Sequence, residues 1–173
     1  AKPVVSAEAD GGDIAIGEAS GTNIAFTSAA NILFDSITSP NAITLSALNG
    51  TIGANNGNGD IDSDDDVTLT AQAIAVGNIT SDGSVSANAT AGDASFGTVD
   101  AANDITITAS GNPSLVNAIS GGDTSITGAA VTFDNGTIGG DLSLTATAGN
   151  IDGNGAVLPA GNRSGYVGTA SIE

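Results

Sequence analysis

Asp104-Ile105-Thr106-Ile107-Thr108 is an acidic turn residue followed by a strictly alternating run of β-branched side chains. A period of two in Ile and Thr is the mark of a half-buried strand, one row facing a core and the other facing solvent. The run recurs as Asn23-Ile24-Ala25-Phe26-Thr27, Ile43-Thr44-Leu45-Ser46, Asp66-Val67-Thr68-Leu69-Thr70 and Val85-Ser86-Ala87-Asn88. Asp123-Thr124-Ser125-Ile126-Thr127 and Asp141-Leu142-Ser143-Leu144-Thr145 continue it, and Val5-Ser6-Ala7 begins it. The leading inward residues stand at 5, 24, 43, 67, 85, 105, 124 and 142, giving steps of 19, 19, 24, 18, 20, 19 and 18. A fixed period of this length means stacked structural units.

Each unit holds two more short apolar segments. The second contains Ile14/Ile16, Ile32/Phe34, Ile52, Ile74/Val76, Ala94/Phe96, Leu115, Val131/Phe133 and Ile151. The third contains Ile37, Ile79, Val99, Ile119 and Ile138. Gly, Asn, Asp or Ser separates each segment from the next, as tight turns require, and no stretch sustains a 3.6-residue period. The chain is therefore expected to be all-β: a parallel β-helix (β-solenoid) of about eight coils of roughly nineteen residues, with three short strands per coil. An antiparallel sandwich also places strands every 8–12 residues, but it has no reason to repeat in triplets with like residues in register. Phe34, Phe96 and Phe133 fall in the second-strand column with Val76 and Leu115 between them, so the aromatic stack is broken. Residues 1–158 are assigned to the solenoid. Residues 159–173 read as an irregular C-terminal tail, with Tyr166-Val167 and Ile172 as a further terminal or inter-subunit strand.

Composition narrows the function. The 173 residues carry 2 basic and 19 acidic side chains, a net charge of −17, and no His or Cys. That removes disulfides, thiolate or imidazole metal sites, and nucleophilic triads built on His. Lys2 and Arg163 are the only cations, so neither nucleic acid nor an anionic membrane is an expected partner, and no apolar run is long enough to insert in a membrane. With only 12% charged and 40% hydrophobic residues, the acidity does not imply disorder. Abundant Gly, Asn, Asp, Ser and Thr without Cys suits an extracellular protein of a bacterial cell surface. No signal-peptide pattern follows Ala1, so the chain is read as processed or as a piece of something longer.

The string Asn103-Asp104-Ile105-Thr106-Ile107-Thr108-Ala109, its echoes at 66–71 and 141–146, and Ile74-Ala75-Val76-Gly77-Asn78-Ile79 resemble the repeats of filamentous-haemagglutinin-like exoproteins. Those are bacterial surface adhesins of the two-partner secretion type. The resemblance runs from about residue 13 to 155 and is one of pattern; the family's amino-terminal secretion module is not matched. It implies a right-handed parallel β-helix acting as a shaft. No capping element is read at either end, so the chain is expected either to continue covalently into a longer shaft or to self-associate end to end as a non-enzymatic filament subunit. Host or surface glycans are the partners such an adhesin would meet.

Four features are candidates for chemistry. Asp60, Asp62 and Asp64 alternate within the longest repeat and could turn three carboxylates to one side, as calcium requires, although the calcium-loop pattern lacks its Gly and closing Glu. No other cofactor is implied. Asp66, Asp104, Asp123 and Asp141 each precede a first strand, where carboxylates one coil apart repel unless cations, salt or capped amides relieve them. The outward positions Thr44/Ser46, Thr68/Thr70, Ser86/Asn88, Thr106/Thr108, Ser125/Thr127 and Ser143/Thr145 form a hydroxyl grid, open either to ice binding or to plain Thr ladders bonded to one another. Sequons lie at Asn49, Asn78, Asn88, Asn135 and Asn162. The competing functions are therefore an ice-binding or calcium-dependent carbohydrate-binding module and, further off, a polysaccharide-degrading enzyme. The enzyme reading lacks a basic residue in the body of the solenoid and aromatic platforms for sugars.

Overall fold

The computed structural model describes residues 4–153 and 170–171. These form seventeen strands and no helix. Every strand pairing is parallel. The chain winds as a β-solenoid of about eight turns, and at the ~4.8 Å separation of neighbouring strands the stack is roughly 40 Å long.

The first face carries Val4–Ala9, Thr22–Ser28, the start of Ile43–Ala54, the start of Val67–Val76, Val85–Ala89, Ile105–Ala109, Thr124–Gly128 and Leu142–Ala146. Its register is the one the repeat predicts throughout: Val5 lies beside Ile24, Ile24 beside Ile43, Ile43 beside Val67, and so on through Val85, Ile105, Thr124 and Leu142. The second face stacks Ile14, Ile32, Ile52 and Ile74 above one another, then Ala94 and Pro113. Beside this column Phe34, Phe96 and Phe133 are separated by Val76 and Leu115, as expected. Ala170–Ser171 pairs with Ile151–Asp152 and adds a rung to the second face. Tyr166, Val167 and Ile172 lie outside the described residues.

The third face departs from the sequence reading. Its inward file is Ala19, Ile37, Ile61, Ile79, Val99, Ala118 and Gly136. Ile119 is not inward: it is 38% exposed, in register with Asp100 and Thr137. Ile138 is buried, but at the corner two residues on, in register with Ser120. The cause is volume: the coils of Ile37, Ile61 and Ile79 put the aliphatic group in the strand and Ser at the corner, whereas the last coil of this file has Gly136 in the strand and Ile138 at the corner. The ring of Phe133 occupies the space a Gly136 side chain would need, its terminal carbon 2.5 Å from an added Cβ.

Corners are as specific as faces. Ser39, Ser63, Ser81 and Ser120 are buried where the third face turns into the next coil. Their hydroxyls are satisfied by backbone: Ser63 donates to the Asn41 carbonyl at 2.9 Å and Ser81 to the Asp65 carbonyl at 2.8 Å. Ser120 shares a 2.9 Å hydrogen bond with the buried Thr124 hydroxyl. Among the described residues no buried side-chain polar atom lacks a partner, as a tightly wound core demands. The one long repeat bulges in two places. Ala47 and Thr51 span the same corner as Ala71 and Ala73, and residues 55–59 form a loop closed by Gly59 at φ +70. The Asp35 carboxylate pins that loop by accepting the N–H groups of Asn56 and Gly57 at 2.7 and 2.8 Å.

Candidate functional site

The acidic turn column resolves into a hydrogen-bond ladder. Asp66 Oδ1 accepts the N–H of Ser84 at 2.7 Å, Asp104 Oδ1 that of Asp123 at 2.8 Å, and Asp123 Oδ1 that of Asp141 at 2.7 Å. Each carboxylate caps an amide, but one a full coil along and not a local one. Two more such ladders were not anticipated from the sequence. Before the second strand, Asp13 serves Asn31, Asn31 serves Thr51, and Asp93 serves Asn112. Where the second face meets the third, Asp60 accepts from Asn78 and Asn78 from Thr98. The signal for them, visible in retrospect, is an Asp or Asn recurring before a strand at the coil period.

Asp60 and Asp62 both project outward from Asp60–Ser63, Asp60 half-buried and Asp62 exposed. Asp64 follows the strand in the turn, where its N–H bonds to the Ser39 carbonyl at 3.0 Å. Asp60 already holds the Asn78 amide and lies 3.5 Å from the Asn58 side-chain nitrogen. Among the described residues no three acidic side chains converge in a way that could hold a metal. Asp60 and Asp62, without Asp64, line an open depression of roughly 380 Å³ on the third face together with Ser36, Thr38, Asn78 and Thr80. Of the sequon residues, Asn49, Asn78, Asn88 and Asn135 are exposed; Asn162, like Lys2 and Arg163, lies outside the described residues.

The outward side of the first face is the most regular surface of the molecule. One file runs Thr44, Thr68, Ser86, Thr106, Ser125, Ser143; the other runs Ser46, Thr70, Asn88, Thr108, Thr127, Thr145. All twelve are exposed or half-buried. The alternative of hydroxyl ladders bonded to one another is not what forms: among the described residues none of the twelve side chains has a hydrogen-bond partner. No acidic residue stands at an outward position of this face from Ala25 to Thr145, although the chain carries 19.

Set against protein-family models, curated proteins and solved structures, the chain finds no match. The class the fold defines is the parallel β-solenoid of short repeats.

Proposed function

We propose that the protein is a non-enzymatic structural rod of the bacterial cell surface, the shaft of an adhesin or a subunit of an end-to-end filament. The observation that carries this reading is the continuity of the stack. Beyond the bulge at Asn23, the first-face register runs from Ile24 to Leu142 with no insertion inside the strands, and the one long repeat expels its extra residues at corners. An array of this kind is stiff along its axis and offers each coil only its two neighbours as partners. In the first described strand Val5, Ala7 and Ala9 continue the inward file, half-buried against the rung of Ile24 and Phe26. The charge of −17 keeps such rods apart sideways. The resemblance to filamentous-haemagglutinin-like repeats supports the same role, and the absence of His and Cys from the composition argues against an enzyme.

Electron microscopy of the purified chain tests this. Rods of constant width, of roughly the eight-coil length or multiples of it, are expected; compact particles with no long axis would overturn the reading. Release of reducing or unsaturated ends from acidic polysaccharides would overturn its non-enzymatic part.

A further inference from the structure

The first face has properties that a shaft does not require. From Thr44 to Thr145 its two files hold no charged residue, carry eleven hydroxyls and one amide, and make no side-chain hydrogen bond among the described residues; Glu8 stands in the second file two rungs before Ser46. Two-residue steps along a strand are ~6.7 Å and coils repeat at ~4.8 Å, so the groups form a lattice about 24 Å long. Seven of the twelve are Thr, whose branched Cβ holds χ1 in few rotamers and so fixes where hydroxyl and methyl point. A surface whose donors and acceptors are already ordered loses little freedom when it binds.

Three occupants can be weighed on these facts. A second copy of the chain is disfavoured, because two files of short side chains cover only on the order of a few hundred Å², against about 800 Å² a side for a stable interface. The face also has none of the aromatic anchors that carry such contacts. A polysaccharide chain is disfavoured for the same lack of aromatic platforms. A layer of ordered water fits. Each hydroxyl can hold a water, each methyl can sit in a gap of the water network, and both repeats are close to oxygen repeats of hexagonal ice. We infer that the first face, centred on Thr68, Thr70, Thr106 and Thr108, is a surface that adsorbs to ice through a water layer held by its hydroxyl lattice. The inference does not depend on the shaft reading.

The weakest rung is the coil with Ser86 and Asn88, the only one without Thr, and it supplies a gain-of-function test. Thermal hysteresis and the shape of single ice crystals are measured for the full chain and three variants, each checked for strand content by circular dichroism. The full chain is expected to facet ice crystals and open a hysteresis gap. Thr106→Lys, which puts a long cation in the lattice, is expected to abolish the gap, and Thr80→Lys on the third face to leave it unchanged. The double variant Ser86→Thr/Asn88→Thr is expected to widen it. Round crystals and no gap from the full chain would overturn the inference. So would a gap that survives Thr106→Lys or is lost equally in Thr80→Lys, and so would a gap that the double variant fails to widen.

Discussion

The Asp104 carboxylate accepts the backbone N–H of Asp123, nineteen residues on, at 2.8 Å. Asp123 repeats the gesture toward Asp141 at 2.7 Å. Three acids are thereby stacked one coil apart, an arrangement that Coulomb repulsion opposes by nearly ~1 kcal/mol per neighbouring pair even in water. It persists because each carboxylate replaces water at an amide that the turn leaves outside the sheet ladder, and hydrogen bonds to charged acceptors are the strong ones.

Asp123→Ala removes the acceptor for Asp141, so a loss of roughly 1 kcal/mol is expected, a fall of about 3 °C in melting temperature. Asp123→Asn keeps an oxygen in place and removes the like charge. Asn31 and Asn78 already fill this role in the other ladders, so the Asn variant should melt at or slightly above the parent. Calorimetry on both variants decides: if Asn costs as much as Ala, the oxygen is not what matters there.

Gly128 stands in a corner file otherwise filled by Ala47, Ala71, Ala89, Ala109 and Ala146 with Ser28. It is Gly because the Pro113 ring of the preceding coil occupies the place its Cβ would take, with the Gly111 carbonyl oxygen 2.8 Å away as well. Gly128→Ala is therefore expected to cost roughly 1–3 kcal/mol through overpacking. Pro113→Ile restores the residue that Ile14, Ile32, Ile52 and Ile74 place in that column, and should recover part of the loss. Urea unfolding of the two single variants and the double gives the coupling; strict additivity would show that the ring is not the obstacle.

How much of this was legible in the sequence follows from the same kind of detail. The first face was readable because Ile and Thr alternate at a period that neither helix nor sandwich explains, and its register came out residue for residue. The third face was not, because its inward file includes Ala19, Ala118 and Gly136, which carry almost no hydrophobic signal, while Ile119 and Ile138 beside them carry a strong one. Ile61 was hidden inside an acidic run. The amide ladders use Asp and Asn, the residues any turn would use, so only their recurrence at the coil period sets them apart.

The exchange of volume between strand and corner can itself be tested. Gly136→Val should overpack against Phe133 at a cost of roughly 1–3 kcal/mol, and Ile138→Ser should leave a cavity costing about 2–5 kcal/mol. Together they recreate the strand-aliphatic, corner-serine pattern of Ile79 and Ser81, and Val99 already coexists with Phe96 in one coil. The double variant is expected to be more stable than the sum of the single losses by roughly 0.5–3 kcal/mol. A thermodynamic cycle without such coupling would mean that the corner and the strand pack independently.

Salt should stabilise the fold. With 19 acids against 2 cations and three acids in one ladder, the folded rod concentrates like charge that the unfolded chain spreads out. Screening shortens the reach of that repulsion from ~30 Å at 0.01 M to ~3 Å at 1 M. Relief of on the order of 1–2 kcal/mol corresponds to a rise of roughly 3–8 °C in melting temperature. Sodium chloride and choline chloride should act alike if screening is the cause. The same scan at matched ionic strength, with calcium or with a chelator, addresses Asp60, Asp62 and Asp64. Equal melting temperatures are expected, because Asp60 is already bonded to the Asn78 amide and the three carboxylates do not converge. A calcium-specific rise that Asp62→Asn abolishes would show instead that the depression on the third face closes around a cation. A melting temperature that stays flat from low to high salt would show that the amide ladders neutralise the column unaided.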